Sequence, residues 1–271
     1  INTDPVNAFA SKLPGLKLLQ TFSAGTDRLD KAGLLSRGTK VANNGGANSV
    51  AVAEHTIMLI LTINHKFDEQ IDSVKRGNWA ADITGPLSEA TSMVGKQVGI
   101  IGLGRIGSRV AKRLSAWECT VVYYDMAEFD REYEETAGAS RLSFEELVST
   151  SDYISLHVPL DRVTHQMFST EQFKAMKKDA VLINTCRGGV VDEQALTEAL
   201  RAKEIWGAGL DVTEIEPISL SSPLITMPNV VITPHQATRV IQSEWNADIN
   251  AIENAERIAL KLEPYWVVDP V

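Results

Sequence analysis

The residues with the richest chemistry in this chain stand just past three apolar runs of its C-terminal half. Asn184-Thr-Cys-Arg187 puts an arginine after one run, Asp211-Val-Thr-Glu-Ile-Glu216 puts Glu214 and Glu216 after the next, and Thr233-Pro-His235 puts a histidine after the third. A guanidinium can hold a carboxylate bidentately and polarise a neighbouring carbonyl. An imidazole can give or take a proton near neutral pH, and a carboxylate beside it fixes its tautomer. Taken singly, each has a plainer reading: Arg187 as a partner of Asp192, Glu216 as a turn residue before Pro217, His235 as a loop histidine like His165. Their common position behind successive runs makes them a candidate anion-holding and acid-base set.

A second constellation is Gly102-Leu-Gly-Arg-Ile-Gly107, after the apolar run 98–101 and before an amphipathic segment. In that setting Gly102 permits a tight turn, Gly104 lets a pyrophosphate approach the backbone, and Gly107 lets a helix pack on a strand. The phosphates would meet the unpaired N–H groups of a helix N-terminus. Asp125, 18 residues past Gly107, closes the next apolar run. A carboxylate there accepts both hydroxyls of an adenine ribose and repels a 2′-phosphate. Met126, Ala127 and Glu128 follow it without an arginine, so NAD is expected over NADP.

Elements of a particular kind must carry these groups. Short β-branched runs at 97–101, 120–124, 153–158, 180–184, 207–212 and 229–233 read as strands. Helix-period segments at 106–117, 144–148, 173–176 and 192–202 lie between them. Strands apolar on both faces that alternate with helices imply a parallel sheet covered on each side, in a doubly wound α/β fold. Ligands of such sheets bind at the carboxyl ends of the strands, where Arg187, Glu216 and His235 follow. Outside this block the pattern changes. A buried run is expected at 16–21, a turn-rich stretch at 43–48, and long helices at 49–67 and 242–262, the latter with Trp245, Ile249, Ile252, Ile258 and Leu262 near one stripe. The expected organisation is a dinucleotide-binding domain at 48–241, and a smaller discontinuous domain with a hinge helix at 1–47 plus 242–271.

The 271 residues carry 26 basic and 35 acidic side chains, a net charge of −9, which disfavours a nucleic-acid partner. The longest greasy stretch, 56–63, is too short to cross a bilayer. Cys119 and Cys186 stand 67 positions apart, spacing that suits neither a disulfide framework nor a metal site, and a cytoplasmic location without a metal is expected.

Further motifs extend the pattern along most of the chain: Val52-Ala-Glu54, Lys75-Arg-Gly-Asn-Trp79, Ser151-Asp-Tyr-Ile-Ser-Leu-His-Val-Pro159, Ile183-Asn-Thr-Cys-Arg-Gly188, Val191-Asp-Glu193, Gly209-Leu-Asp-Val212, Glu216-Pro217 and Thr233-Pro-His235. In this order the chain resembles the D-isomer-specific 2-hydroxyacid dehydrogenase family. The resemblance implies a Rossmann NAD-binding domain beside a flavodoxin-like substrate domain that lacks its first strand-helix units here. It implies interconversion of a 2-keto acid and a D-2-hydroxy acid with NAD, with Arg187, Glu216 and His235 as catalytic residues. Cofactor contacts are implied for Gly102, Gly104, Arg105, Ile106, Gly107, Asp125, His157, Val158, Pro159, Thr164, Thr185, Cys186, Asp211 and His235. Ser23, Ala24 and Gly25, with Arg187, are implied to hold the substrate carboxylate, and a homodimer is implied as the assembly. The family pattern departs at Gly45-Gly46, where a proline is common, and at Gln236-Ala237, where Ile-Gly is frequent. Phosphite or phosphoglycerate oxidation, and NAD-binding transcriptional corepressors, share the residue types and stand as alternatives; formate dehydrogenases carry Gln where Glu216 stands.

Overall fold

The computed structural model describes residues 4–79 and 90–268; residues 1–3, 80–89 and 269–271, which the expected domain spans include, lie outside the described residues. In chain order the elements are α1 (Asp4–Ala10), β1 (Leu18–Gln20), α2 (Lys31–Ser36), β2 (Lys40–Ala42), α3 (Ser49–His65), α4 (Phe67–Lys75), β3 (Gln97–Ile101), α5 (Gly107–Leu114) and β4 (Thr120–Tyr124). There follow α6 (Arg131–Ala137), β5 (Ser140–Arg141), α7 (Phe144–Thr150), β6 (Tyr153–Leu156), α8 (Thr170–Ala175), β7 (Val181–Asn184), α9 (Glu193–Ala202), β8 (Gly207–Leu210), β9 (Val230–Ile232) and α10 (Ile241–Ala259). They form two compact units, 1–51 with 238–271, and 52–237.

The larger unit is built on a parallel sheet in the order β5-β4-β3-β6-β7-β8-β9. Strand order reverses between β3 and β6, the place where a doubly wound sheet opens a crevice at its carboxyl edge. Strands β6, β7 and β8 are buried along their whole length. Alternate residues feed different apolar clusters. Ile101, Ile154, Leu156, Leu182 and Leu210 join Phe168, Phe173 and Leu196 in one, whereas Ile100, Tyr123, Tyr153 and Ile183 join Leu59, Ile60, Val110 and Leu114 in the other. Because the strand period is two, this division puts a packed layer on each face of the sheet.

Several expected boundaries move. The strands expected at 153–158 and 207–212 end at Leu156 and Leu210, because the residues beyond turn to build loops. The helix expected at 49–67 stops at His65, where Lys66 takes a left-handed conformation (φ 51°) that breaks the ladder before α4 starts. Strand β5 has two exposed residues and no periodicity to announce it.

The smaller unit contains one parallel pair, β1 with β2. The run at 16–21 is a half-buried strand rather than a buried one, and the core beside it is Ala10, Leu34 and Val41. Helix α10 leaves much of its apolar stripe exposed. Trp245, Ile249 and Ile252 are exposed, at 64%, 54% and 68%, while Ser243, Ala247 and Asn254 are buried. Polar bonding anchors the buried face. Asn254 Nδ2 donates to Gln20 Oε1 at 2.7 Å and to the Tyr265 carbonyl at 2.9 Å, and its Oδ1 accepts from Tyr265 N at 2.6 Å.

Phe168 is fully buried and packs edge-on to Phe144 and near Phe173. Phe168→Ala is expected to lower unfolding free energy by about 3–5 kcal/mol, read by denaturant titration.

Candidate functional site

The glycine loop is closed where it faces protein and open where a ligand would lie. Gly102 has φ +93°, donates its N–H to Tyr124 O at 2.8 Å, and has no room for a Cβ, which would stand 2.6 Å from His157 O. A Cβ on Gly107 would stand 2.0 Å from Gly102 O, so α5 begins in direct contact with the turn. At Gly104 a Cβ would meet nothing within 4 Å. That open position is where a pyrophosphate is expected to approach. Ile106 caps α5, and the carbonyl of Arg105 accepts from Arg109 Nη1 at 2.7 Å.

Asp125 is tied to this loop. Its Oδ2 accepts from Leu103 N and its Oδ1 from Ala127 N, both at 2.8 Å, which leaves each oxygen a second lone pair for a ribose hydroxyl. Arg141 Nη2 donates to the Asp125 carbonyl at 2.8 Å. Met126, Ala127 and Glu128 supply no arginine, as the sequence reading holds, but β5 brings one from 16 positions downstream.

The loop after β6 is fixed by Thr164, which is buried and donates to Pro159 O at 2.6 Å, while its hydroxyl accepts from Asp161 N at 2.9 Å. His157 Nε2 lies 2.8 Å from Ser155 Oγ, and its buried Nδ1 has no hydrogen-bond partner in the protein. Burial pushes this imidazole down to about 3, so it is neutral. Val158 packs beside Gly102, within 3.0 Å of where a Cβ would stand, and Pro159 is exposed. An open glycine position, an anchored acidic residue and an orphaned ring nitrogen together fit a dinucleotide.

Arg187, Glu216 and His235 follow β7, β8 and β9, three adjacent parallel strands, and so emerge at one edge of the sheet. Asn184, the last residue of β7, shapes the first loop: its Nδ2 donates to Arg187 O at 2.9 Å and its Oδ1 accepts from Cys186 N at 3.1 Å. Gly188 then lies against the next loop, where a Cβ would stand 2.0 Å from the carbonyl carbon and oxygen of Thr213. Only glycine allows that approach. In this second loop Glu216 Oε1 accepts from Thr213 N at 3.4 Å and Glu216 Oε2 lies 2.8 Å from His235 Nδ1. Glu214 is exposed and donates its N–H to Glu193 Oε2 at 3.0 Å.

The third loop folds over Asp211, whose side chain is 1% exposed. His235, with φ +55°, donates its N–H to Asp211 O at 2.8 Å. The Asp211 carboxylate, given above as a cofactor contact, accepts three hydrogen bonds from its own loop: Oδ1 accepts from Gln236 N at 2.9 Å and Thr233 Oγ1 at 2.6 Å, and Oδ2 from Ala237 N at 2.9 Å. Thr185 turns inward as well, 3.0 Å from Thr56 Oγ1. Burial raises the Cys186 thiol to about 11.

In the smaller unit, Ser23 Oγ donates to Gly25 O at 2.8 Å, and the carbonyls of Ser23 and Ala24 accept from Asn44 N at 3.2 Å and Asn43 Nδ2 at 3.2 Å. Sequence reasoning passed over Asn184 and Thr233, whose side chains hydrogen-bond within these loops, and over His55, whose Nε2 stands 2.8 Å from Thr233 Oγ1; Thr233 could have been found from its place two residues before His235.

Residues 57–237 match the family described as D-isomer specific 2-hydroxyacid dehydrogenase, NAD binding domain. A glyoxylate reductase of Thermofilum pendens is 37% identical over 250 residues, covering 89% of this chain and 71% of that protein. Glyoxylate/hydroxypyruvate reductase B of Escherichia coli is 36% identical over 247 residues, covering 91% of this chain and 76% of that protein. Among solved structures, D-mandelate dehydrogenase of Rhodotorula graminis in its holo form superposes with a TM-score of 0.90 at 30% identity, over 97% of this chain and 78% of its own.

If Asp125 is the acceptor for the adenine ribose, as the sequence implies, replacing it by Ala removes that acceptor. The expected result is a KM for NADH raised about tenfold or more, with a smaller change for NADPH, measured by initial rates with each coenzyme.

Proposed function

The chain belongs to the D-isomer specific 2-hydroxyacid dehydrogenase family, and from that premise we propose that it reduces a small 2-keto acid such as glyoxylate or hydroxypyruvate, with His235 as the acid, Glu216 as its orienting carboxylate and Arg187 as the anion clamp. It is an NAD-dependent oxidoreductase that interconverts 2-keto acids and D-2-hydroxy acids. The observation that carries the assignment of roles is the 2.8 Å pair between His235 Nδ1 and Glu216 Oε2 at the carboxyl edge of the sheet.

When bound, the dinucleotide supplies a hydride to the carbonyl carbon of the keto acid or accepts it back from the hydroxy acid. The chain supplies the rest. With Nδ1–H given to Glu216, Nε2 of His235 is the ring atom that hands a proton to the carbonyl oxygen during reduction and takes it back during oxidation. Arg187 neutralises the substrate carboxylate and stabilises charge developing on the reacting oxygen. The clamps around Asn184, Gly188 and Asp211 hold these groups in place before substrate arrives, which is the condition for electrostatic and proximity effects to act fully.

The relatives named for glyoxylate and hydroxypyruvate support small keto acids as substrates. A homodimer is part of the same proposal. On and after α4, Phe67, Ile71, Val74 and Trp79 expose 54%, 37%, 52% and 87% of their surface, an apolar series that a second copy would cover. A reducing cytoplasm suits the two free thiols, Cys119 and Cys186.

Initial rates of NADH oxidation with glyoxylate, hydroxypyruvate, pyruvate and bulkier keto acids test the substrate class. His235→Ala is expected to lower kcat by about 10²–10⁴ and Arg187→Ala by about 10²–10³. A variant within about threefold of the unmodified enzyme would remove that residue from its assigned role. Light scattering after size exclusion is expected to give twice the mass of one chain, and Ile71→Asp to shift it toward the monomer.

A further inference from the structure

Behind the His235 loop lies a polar network that reaches back into α3. Thr233 Oγ1 donates to Asp211 Oδ1 at 2.6 Å. His55 Nε2 stands 2.8 Å from the same hydroxyl and 3.4 Å from Asp211 Oδ1, with its side chain 14% exposed and that of Asp211 1% exposed. The proton inventory of this cluster has one solution. An ionised carboxylate has no proton to give, so the hydroxyl of Thr233 points its only hydrogen at Asp211. The lone pair left facing His55 must then be met by a donor, and His55 carries its proton on Nε2. Burial pushes this imidazole below its ordinary range while the charge of Asp211 opposes the shift, so neutral Nε2–H is the form to expect near pH 7.

Asp211 gathers the loop from both sides of His235. Thr233, two residues before it, and Gln236 and Ala237, just after it, all donate to the one carboxylate, while the N–H of His235 donates to the Asp211 carbonyl. A buried carboxylate is retained only when its lone pairs are met, and a donor removed from such a network weakens the others. We propose that His55 is a positioning residue: through Thr233 and Asp211 it holds the loop that presents His235, and so sets the aim of the acid without touching substrate. This rests on the role given to His235 above, yet concerns a residue on another element, 180 positions earlier in the chain. The sequence pattern shows His55 as one more residue of an apolar helix, and nothing in the comparisons assigns it.

Two substitutions separate positioning from packing. His55→Phe keeps a ring of similar size and removes the donor; His55→Gln brings an N–H donor to a similar reach. In the full chain, amide exchange of Gln236 and Ala237 is expected to quicken about tenfold in His55→Phe and to stay within about twofold of the unmodified protein in His55→Gln. In kinetics, kcat for keto-acid reduction is expected to fall about tenfold in the Phe variant, with KM for NADH changed less than about threefold, and to recover in the Gln variant. Thr233→Val should reproduce the Phe variant, and adding His55→Phe to it should cost little more, since both break one chain of bonds.

The proposal is overturned if the Phe variant leaves the 236–237 amides and kcat unchanged. It is equally overturned if Phe and Gln variants lose protection throughout the unit, since that marks a packing role alone. An unmodified enzyme that fails to oxidise NADH with any keto acid would strike the function proposed above, while amide exchange would still report on what His55 holds.

Discussion

The architecture of the rim depends on a single buried charge. Asp211 sits at the end of β8 with its side chain almost wholly removed from water, where an unsatisfied carboxylate would cost several kcal/mol. The chain answers by bringing donors to it: the backbone after His235 bends so that Gln236 and Ala237 direct their N–H groups inward, and the Thr233 hydroxyl completes the shell. His235 is thereby held in a left-handed conformation that few histidines adopt freely. The shape of the loop is the solution to an electrostatic problem in the interior.

The other two loops are coupled to it by steric rather than ionic means. Gly188 allows the Arg187 loop to rest on Thr213, and Thr213 in turn donates its N–H to Glu216. Parallel pairing of β7, β8 and β9 sets the spacing from which these loops start. A sheet of this kind is rigid in its buried strands, so the precision of the site is inherited from the core. At the strand-order reversal the same logic applies to the glycine loop, where His157 O and Gly102 O leave no space for side chains at two of the three glycines.

How far the sequence speaks for this structure depends on the scale of the signal. Short apolar runs mark six of the seven strands of the larger sheet, since a strand buried on both faces has little alternative composition. The glycine spacing and the three polar residues after β7, β8 and β9 were readable for the same reason: their chemistry is tied to fixed offsets from strands. Strand β5 and helix α6 are short and largely exposed, so no periodicity announces them. The stripe of Trp245, Ile249 and Ile252 gives a clear helical pattern, yet the pattern does not tell which face is covered: these residues are exposed, and Asn254 on the buried face is held by hydrogen bonds. Pairs distant in sequence, such as Arg141 with Asp125 or His55 with Thr233, leave no trace in a single chain read alone.

Cys186 illustrates what this arrangement does to a reactive atom. Its sulfur donates to Asn184 Oδ1, in a half-buried residue, and burial keeps it protonated well above the ordinary range of a thiol. Peroxides and electrophiles attack the thiolate, which is scarce here by several orders of magnitude at neutral pH. A sulfur placed one residue from Arg187 is in this way made chemically quiet.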